Sequence, residues 1–127
     1  MIEVRNKTLF EWSLDSLPLD ISKKIIFICL EEHEKEFNVS KFIKNIMKEK
    51  YPKINYELIY LEKTTRGQVE TVLHAKQLIY SENPLIIYNI DTHFISTRLK
   101  SKILTLKNQN IDGLLGCFTS DDENLSF

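Results

Sequence analysis

Three residues of this chain have the type and placement to do chemistry: a glycine and an amide in sequence, Gly67-Gln68, and one aspartate closing an apolar run, Asp91. Gly67 stands in Thr64-Thr65-Arg66-Gly67-Gln68-Val69-Glu70-Thr71-Val72-Leu73, a turn running into a helix. A residue without a Cβ lets the backbone lie against a ligand where a side chain would be in the way. Gln68 is a weaker candidate for the same contact. Asp91 follows Leu85-Ile86-Ile87-Tyr88-Asn89-Ile90, and a run that apolar reads as a strand covered on both faces, as in parallel sheets. Ligands of open α/β sheets sit beyond the carboxyl ends of the strands, which is where Asp91 is expected. A backbone loop beside a hard oxygen ligand suits a nucleotide with a divalent cation. The blander readings are a glycine needed only for turn geometry and an aspartate capping the next turn.

Other chemistry is poorly supported. Glu31-Glu32-His33-Glu34 could ligate a metal, but a solvated strand-to-helix loop is the better reading. His33 and His93 both follow strands, yet no C-x-x-C or H-x-x-x-H spacing points to zinc. His74 falls mid-helix, away from Val69 and Val72, and reads as surface or partly buried. Trp12 is either core or the wall of a ligand site, with core favoured by burial statistics.

The elements that must hold Gly67 and Asp91 follow from periodicity. Asn6-Lys7 is a turn, after which Thr8 and Glu11 have capping-box spacing. That box opens a helix carrying Leu9, Phe10, Leu14 and Leu17 inward until Pro18 stops it. Lys24 to Leu30 reads as a buried strand. Val39, Phe42, Ile43, Ile46 and Met47 then form a full amphipathic stripe, with lysines 41, 44, 48 and 50 as the solvated face and Pro52 as the stop. Ile54 to Leu61 is a third strand, rich in β-branched and aromatic residues. The helix after Gly67 should bury Val69, Val72, Leu73 and Ile79 before Asn83-Pro84 breaks it. Beyond Phe94, Leu99, Ile103 and Leu106 mark a weaker helix ending near Asn108-Gln109-Asn110. Asp112-Gly113 is a turn, Leu114 to Phe118 a last short strand, and Asp121-Asp122-Glu123 an unpacked tail. Alternating strands and helices predict an α/β fold, a mostly parallel Rossmann-like sheet with crossover helices.

Bulk properties narrow the classes. A chain of 127 residues is long enough for one domain and too short for two. A formal net charge of -1 gives no basic face for nucleic acid. The longest apolar runs are far short of a membrane span. Cys29 and Cys117 lie in separate apolar runs and read as small buried hydrophobes, which suits a reducing cytoplasm. Only 3 glycines are present, few for a phosphate-binding enzyme.

Four stretches, taken in order, resemble the sugar-phosphate nucleotidyltransferases, whose glycosyltransferase-A-like domain joins a nucleoside triphosphate to a sugar phosphate. Met1 to Trp12 (MIEVRNKTLFEW) looks like the family's "PLIEVNGKPLIEW" segment. Thr65 to Lys76 (TRGQVETVLHAK) looks like its "T-x-G-x-x-x-T-x-L-x-A-K" helix start, and Pro84 to Asp91 like the strand ending in N-x-D. Ile111-Asp112-Gly113 through Phe118 looks like the strand entered by "DG", with Asp121-Asp122 in the polar loop beyond. The likeness spans nearly the whole chain; each motif is weak alone and together they are moderately specific.

The resemblance implies attack by a phosphate oxygen of the acceptor on the α-phosphorus of the triphosphate, with pyrophosphate leaving. Catalysis of that kind rests on positioning and electrostatics, and no protein nucleophile is assigned. It implies that Asp91 holds Mg2+ and that Gly67 and Gln68 contact the base or ribose. The partners implied are a nucleoside triphosphate and a sugar phosphate or similar phosphorylated small molecule, with no nucleic acid or membrane; a homo-oligomer is left open. The family's opening glycine-rich strand and loop, and its later sugar-binding part, have no counterpart here: no G-x-G, P-loop or equivalent basic motif occurs. The fold implied is therefore an incomplete nucleotide-diphospho-sugar transferase fold, an internal piece with little or no activity. Its missing strand belongs between those containing Phe27 and Ile87, which must either close ranks or leave a gap one strand wide, ~4.8 Å on each side.

Two other readings compete. In a metal-dependent glycosyltransferase of related fold, Asp91-Thr92-His93 would be a variant D-x-D motif touching manganese. A non-enzymatic doubly wound binding domain, such as a receiver-like module, would need an acidic pair after its first strand, for which Glu31-Glu32 is a poor stand-in.

Overall fold

The structure, a computed structural model, describes residues 2–79, 83–106, 109 and 111–117. The chain divides into two compact units, Met1–Thr97 and Arg98–Phe127.

The first unit opens with a two-stranded antiparallel hairpin, β1 (Glu3–Val4) and β2 (Lys7–Thr8). Its turn is Arg5-Asn6, one residue earlier than the sequence reading placed it. Both residues have positive φ, 51° and 63°, the combination a two-residue primed turn demands. Thr8 leads directly into α1 (Leu9–Asp15) through a complete capping box: Glu11 N–H donates to Thr8 Oγ1 at 3.2 Å, and Thr8 N–H donates to Glu11 Oε2 at 2.8 Å. Phe10 and Leu14 face inward, as their spacing predicts.

A parallel pair forms the sheet. Strand β3 (Lys24–Leu30) runs beside β4 (Asn55–Leu61), in register from Lys24 opposite Asn55 to Leu30 opposite Leu61. Two helices make the crossover, α2 (Glu31–Phe37) and α3 (Val39–Lys50), joined at Asn38, which takes the left-handed conformation that asparagine tolerates. Glu31 to Glu34 is thus the first turn of a helix and not a loop; three carboxylates there complement the helix's amino end. The α3 stripe packs inward as expected. Phe10, Leu14, Phe27, Ile43 and Met47 form the buried centre, with Ile25, Cys29, Val39, Phe42, Ile46, Tyr56 and Leu58 against it. The Phe10 ring lies 5.5 Å from Phe27 and 5.4 Å, edge-on, from Phe42. Full burial of each such side chain stabilises by roughly 2 kcal/mol.

Lys50 departs from the expected solvated face: its ammonium bonds the Glu11 carboxylate, tying the end of α3 to the start of α1. Glu11 is 8% exposed, and this contact, with the Thr8 bonds, holds its pKa down at about 2. Asp15, at the other end of α1, accepts from Lys7 Nζ at 2.6 Å and Tyr51 Oη at 2.8 Å.

The rest of the predicted sheet is absent among the described residues. Leu85 to Ile90 is not a strand, and Leu85, Ile86, Ile87 and Ile90 are 46–50% exposed. An apolar run becomes a covered strand only when a neighbouring edge takes its backbone bonds and helices cover its faces; among the described residues β3 pairs with β4 alone. The helix after Gly67 is also shorter than predicted. α4 covers Gln68–Leu73, followed by a 3-10 turn at Lys76–Leu78; Val69 and Leu73 face solvent, and the buried residue is Ala75. The chain is therefore mixed α/β with a two-stranded parallel sheet.

In the second unit α5 (Leu99–Leu106) keeps Leu99, Ile103 and Leu106 half-buried, the three positions its spacing selects. Leu114 to Cys117 is exposed and forms no strand, and Cys117 is exposed where burial was expected. Asn108, Asn110, Phe118 and Asp121-Asp122-Glu123 lie outside the described residues.

Candidate functional site

Just beyond the carboxyl end of β4, a hydroxyl pair shapes the turn at Gly67. The Thr65 and Thr71 hydroxyls share a hydrogen bond of 2.6 Å, which leaves one of them free to donate to Gly67 O, 3.1 and 3.2 Å away, where Thr71 N–H also donates at 3.1 Å. Glu70 reaches back to accept from Arg66 N–H at 2.6 Å. These bonds shape the entry to α4, whose first turn has no side-chain cap.

Gly67 has φ 167°, extended backbone open to any residue, and a Cβ built there meets nothing within 4 Å. Neither turn geometry nor the protein's own packing demands glycine at this position. A residue without a Cβ leaves this stretch of backbone open to solvent.

Asp91 does not close a buried strand. Thr92 N–H donates to Asn89 O at 3.4 Å, so Asn89-Ile90-Asp91-Thr92 is a β-turn at the surface, with asparagine at the first position such turns favour. Asp91 is exposed; its contact is the hydroxyl of Thr92, 3.3 Å from Oδ1. The two halves of the site meet through amides: Gln68 Nε2 donates to Asn89 Oδ1 at 2.8 Å, two residues before Asp91. Asn89 was visible in sequence only as the first letter of N-x-D; its role as the tie to α4 needs coordinates.

A cleft of about 310 Å3 adjoins α4, lined by Tyr60, Leu61, Thr64, Thr65, Glu70 and His74 among others; Gly67, Gln68 and Asp91 are not in its lining. A larger groove of about 540 Å3 opens near the amino ends of the strands. Its walls are mostly apolar, and Asp15, Lys50 and Tyr51 there are bonded within the protein, so it offers less chemistry.

Mg2+ usually takes one or two protein carboxylates, with water and phosphate oxygens completing its shell. Asp91, exposed and bonded among the described residues to the Thr92 hydroxyl, could supply one such carboxylate. Among the described residues no three of His, Cys, Asp or Glu gather to hold a metal by themselves. The Glu31 to Glu34 cluster is spent structurally: Glu31 pairs with Lys35 at 3.1 Å, and Glu34 accepts from Ser40 N–H at 2.7 Å and Ser40 Oγ at 2.6 Å. Those bonds lower the Glu34 pKa. His93 packs its ring edge-on against Trp12 at 5.1 Å, and His33 lies on α2 near Phe37. Trp12 is half-buried, with its indole N–H donating to Val4 O at 2.9 Å.

No family model matches the chain, and no curated protein and no solved structure matches it.

Proposed function

We propose that this chain is a nucleotidyltransferase-like domain that binds a nucleoside triphosphate with Mg2+ at the Gly67–Asp91 site. The reaction of that class passes a nucleotidyl group to a sugar phosphate or similar acceptor and releases pyrophosphate. The observation that carries the reading is the Gln68–Asn89 bond of 2.8 Å, which joins a glycine with open space at its Cβ to the turn bearing an exposed aspartate. In this role Gly67 supplies room for the base or ribose, Gln68 a polar contact beside it, and Asp91 a carboxylate for Mg2+, whose bound charge offsets that of the phosphates. The resemblance in sequence points to the same residues. Because no glycine-rich or P-loop motif occurs in the sequence, binding is expected without appreciable turnover.

Calorimetric titration with each common nucleoside triphosphate, with and without Mg2+, tests the proposal. Saturable binding of at least one, dependent on Mg2+ and lost in Asp91→Asn, is the expected result. Absence of binding to all of them in the presence of Mg2+ contradicts it. Preference for a nucleotide-sugar over the free triphosphate would instead support the glycosyltransferase reading.

A further inference from the structure

Helix α1 and its C-cap face the segment around Asp91 with Trp12, Ser13 and Ser16. Ser13 is fully buried, at 0% exposure, and its hydroxyl donates to Asn89 O at 3.1 Å. Serine inside a helix ordinarily faces solvent or bonds its own backbone; this one bonds a carbonyl 76 positions away in sequence. One turn later, Ser16 Oγ accepts from Phe94 N–H at 3.0 Å while donating to Trp12 O at 3.2 Å. Trp12, immediately before Ser13, sets its ring 5.1 Å from that of His93. The contacts fall at positions 89, 93 and 94, on both sides of Asp91, and leave its carboxylate at the surface.

We infer that α1 braces the turn that carries Asp91, with Ser13 and Ser16 as positioning residues for its carboxylate. The two hydroxyls satisfy a backbone carbonyl and a backbone N–H of a segment that belongs to no sheet, so they fix the turn where strand pairing does not. The inference rests on the proposed reading of Asp91 for its purpose, but not for its geometry. A carboxylate that must meet a cation and a phosphate together gains from being held in place beforehand.

The test combines Ser13→Ala, Ser16→Ala and the double variant with two independent readouts. Amide hydrogen exchange in the intact chain reports the turn; Mn2+ titration with a nucleoside triphosphate reports the carboxylate. In the double variant, exchange at residues 89–94 should rise about tenfold while β3, β4 and α3 keep their protection. Mn2+–triphosphate affinity should fall several-fold, and Ser16→Thr, which keeps the hydroxyl, should retain both properties of the parent. Unchanged exchange at 89–94, or a loss of protection equal across the whole unit, overturns the brace. Faster exchange at 89–94 with no Mn2+–triphosphate binding even in the parent upholds the brace and overturns the cation reading of Asp91.

Discussion

Gly67 and Glu11 show how differently two single residues can be constrained. With an extended φ and nothing within 4 Å of its missing Cβ, Gly67 has room for alanine, and the remaining cost is that of its place as N-cap of α4. Gly67→Ala should change stability by less than about 1 kcal/mol, the poorer N-cap offsetting the restriction of the unfolded chain, yet weaken nucleotide binding. Urea unfolding beside a nucleotide titration separates the two, and an alanine variant that binds normally removes the glycine from the site. Glu11 is constrained from within. Its pKa falls from 4.5 to about 2, chiefly through the Lys50 ammonium and then the Thr8 backbone. A depressed carboxylate stabilises the fold above its unfolded pKa and loses that contribution as pH falls through the folded one. Stability should therefore drop by about 2 kcal/mol between about pH 7 and pH 3 from this group alone. Glu11→Gln should show a flatter acid limb; an unchanged limb would mean that the Lys50 contact is not formed in solution.

Among the elements, those with complete local signals were legible and those that needed a distant partner were not. Thr8 and Glu11 announced α1, the Val39 to Met47 stripe announced α3, and Lys24–Leu30 matched β3 to the residue, because caps and periodicity are written locally. Leu85 to Ile90 had the composition of a covered strand but lacks a paired edge, which no local pattern encodes. The same gap hid the site's wiring: Gly67, Gln68 and Asp91 could be chosen by residue type, whereas Asn89, Ser13 and Ser16 act across the fold. A substitution distinguishes the two pictures of this segment. Ile87, 47% exposed, should tolerate Ile87→Asp at a cost below about 1 kcal/mol, as surface changes do. A loss of several kcal/mol in chemical denaturation would restore the buried strand.

Over the whole molecule, 17 basic and 18 acidic residues leave no general attraction for a polyanion. Affinity for a triphosphate must then come from local contacts and from the cation, not from the overall field. Removing divalent cations with a chelator should abolish nucleotide binding, while raising salt from about 50 to 200 mM should weaken it only modestly, since few phosphate contacts from Lys or Arg are involved. A steep salt dependence that survives the chelator would instead indicate a nonspecific basic surface.

Paramagnetic broadening by Mn2+ with a nucleoside triphosphate tests the joining of the two halves most directly, because it reports which nuclei lie near the bound ion. The prediction is that the Gln68 side-chain amide and the backbone amides of residues 89–92 broaden together at substoichiometric Mn2+, and that Asp91→Asn abolishes both effects. Broadening centred elsewhere, such as on Glu31 to Glu34, or broadening at Gln68 that persists in Asp91→Asn, would contradict a shared site.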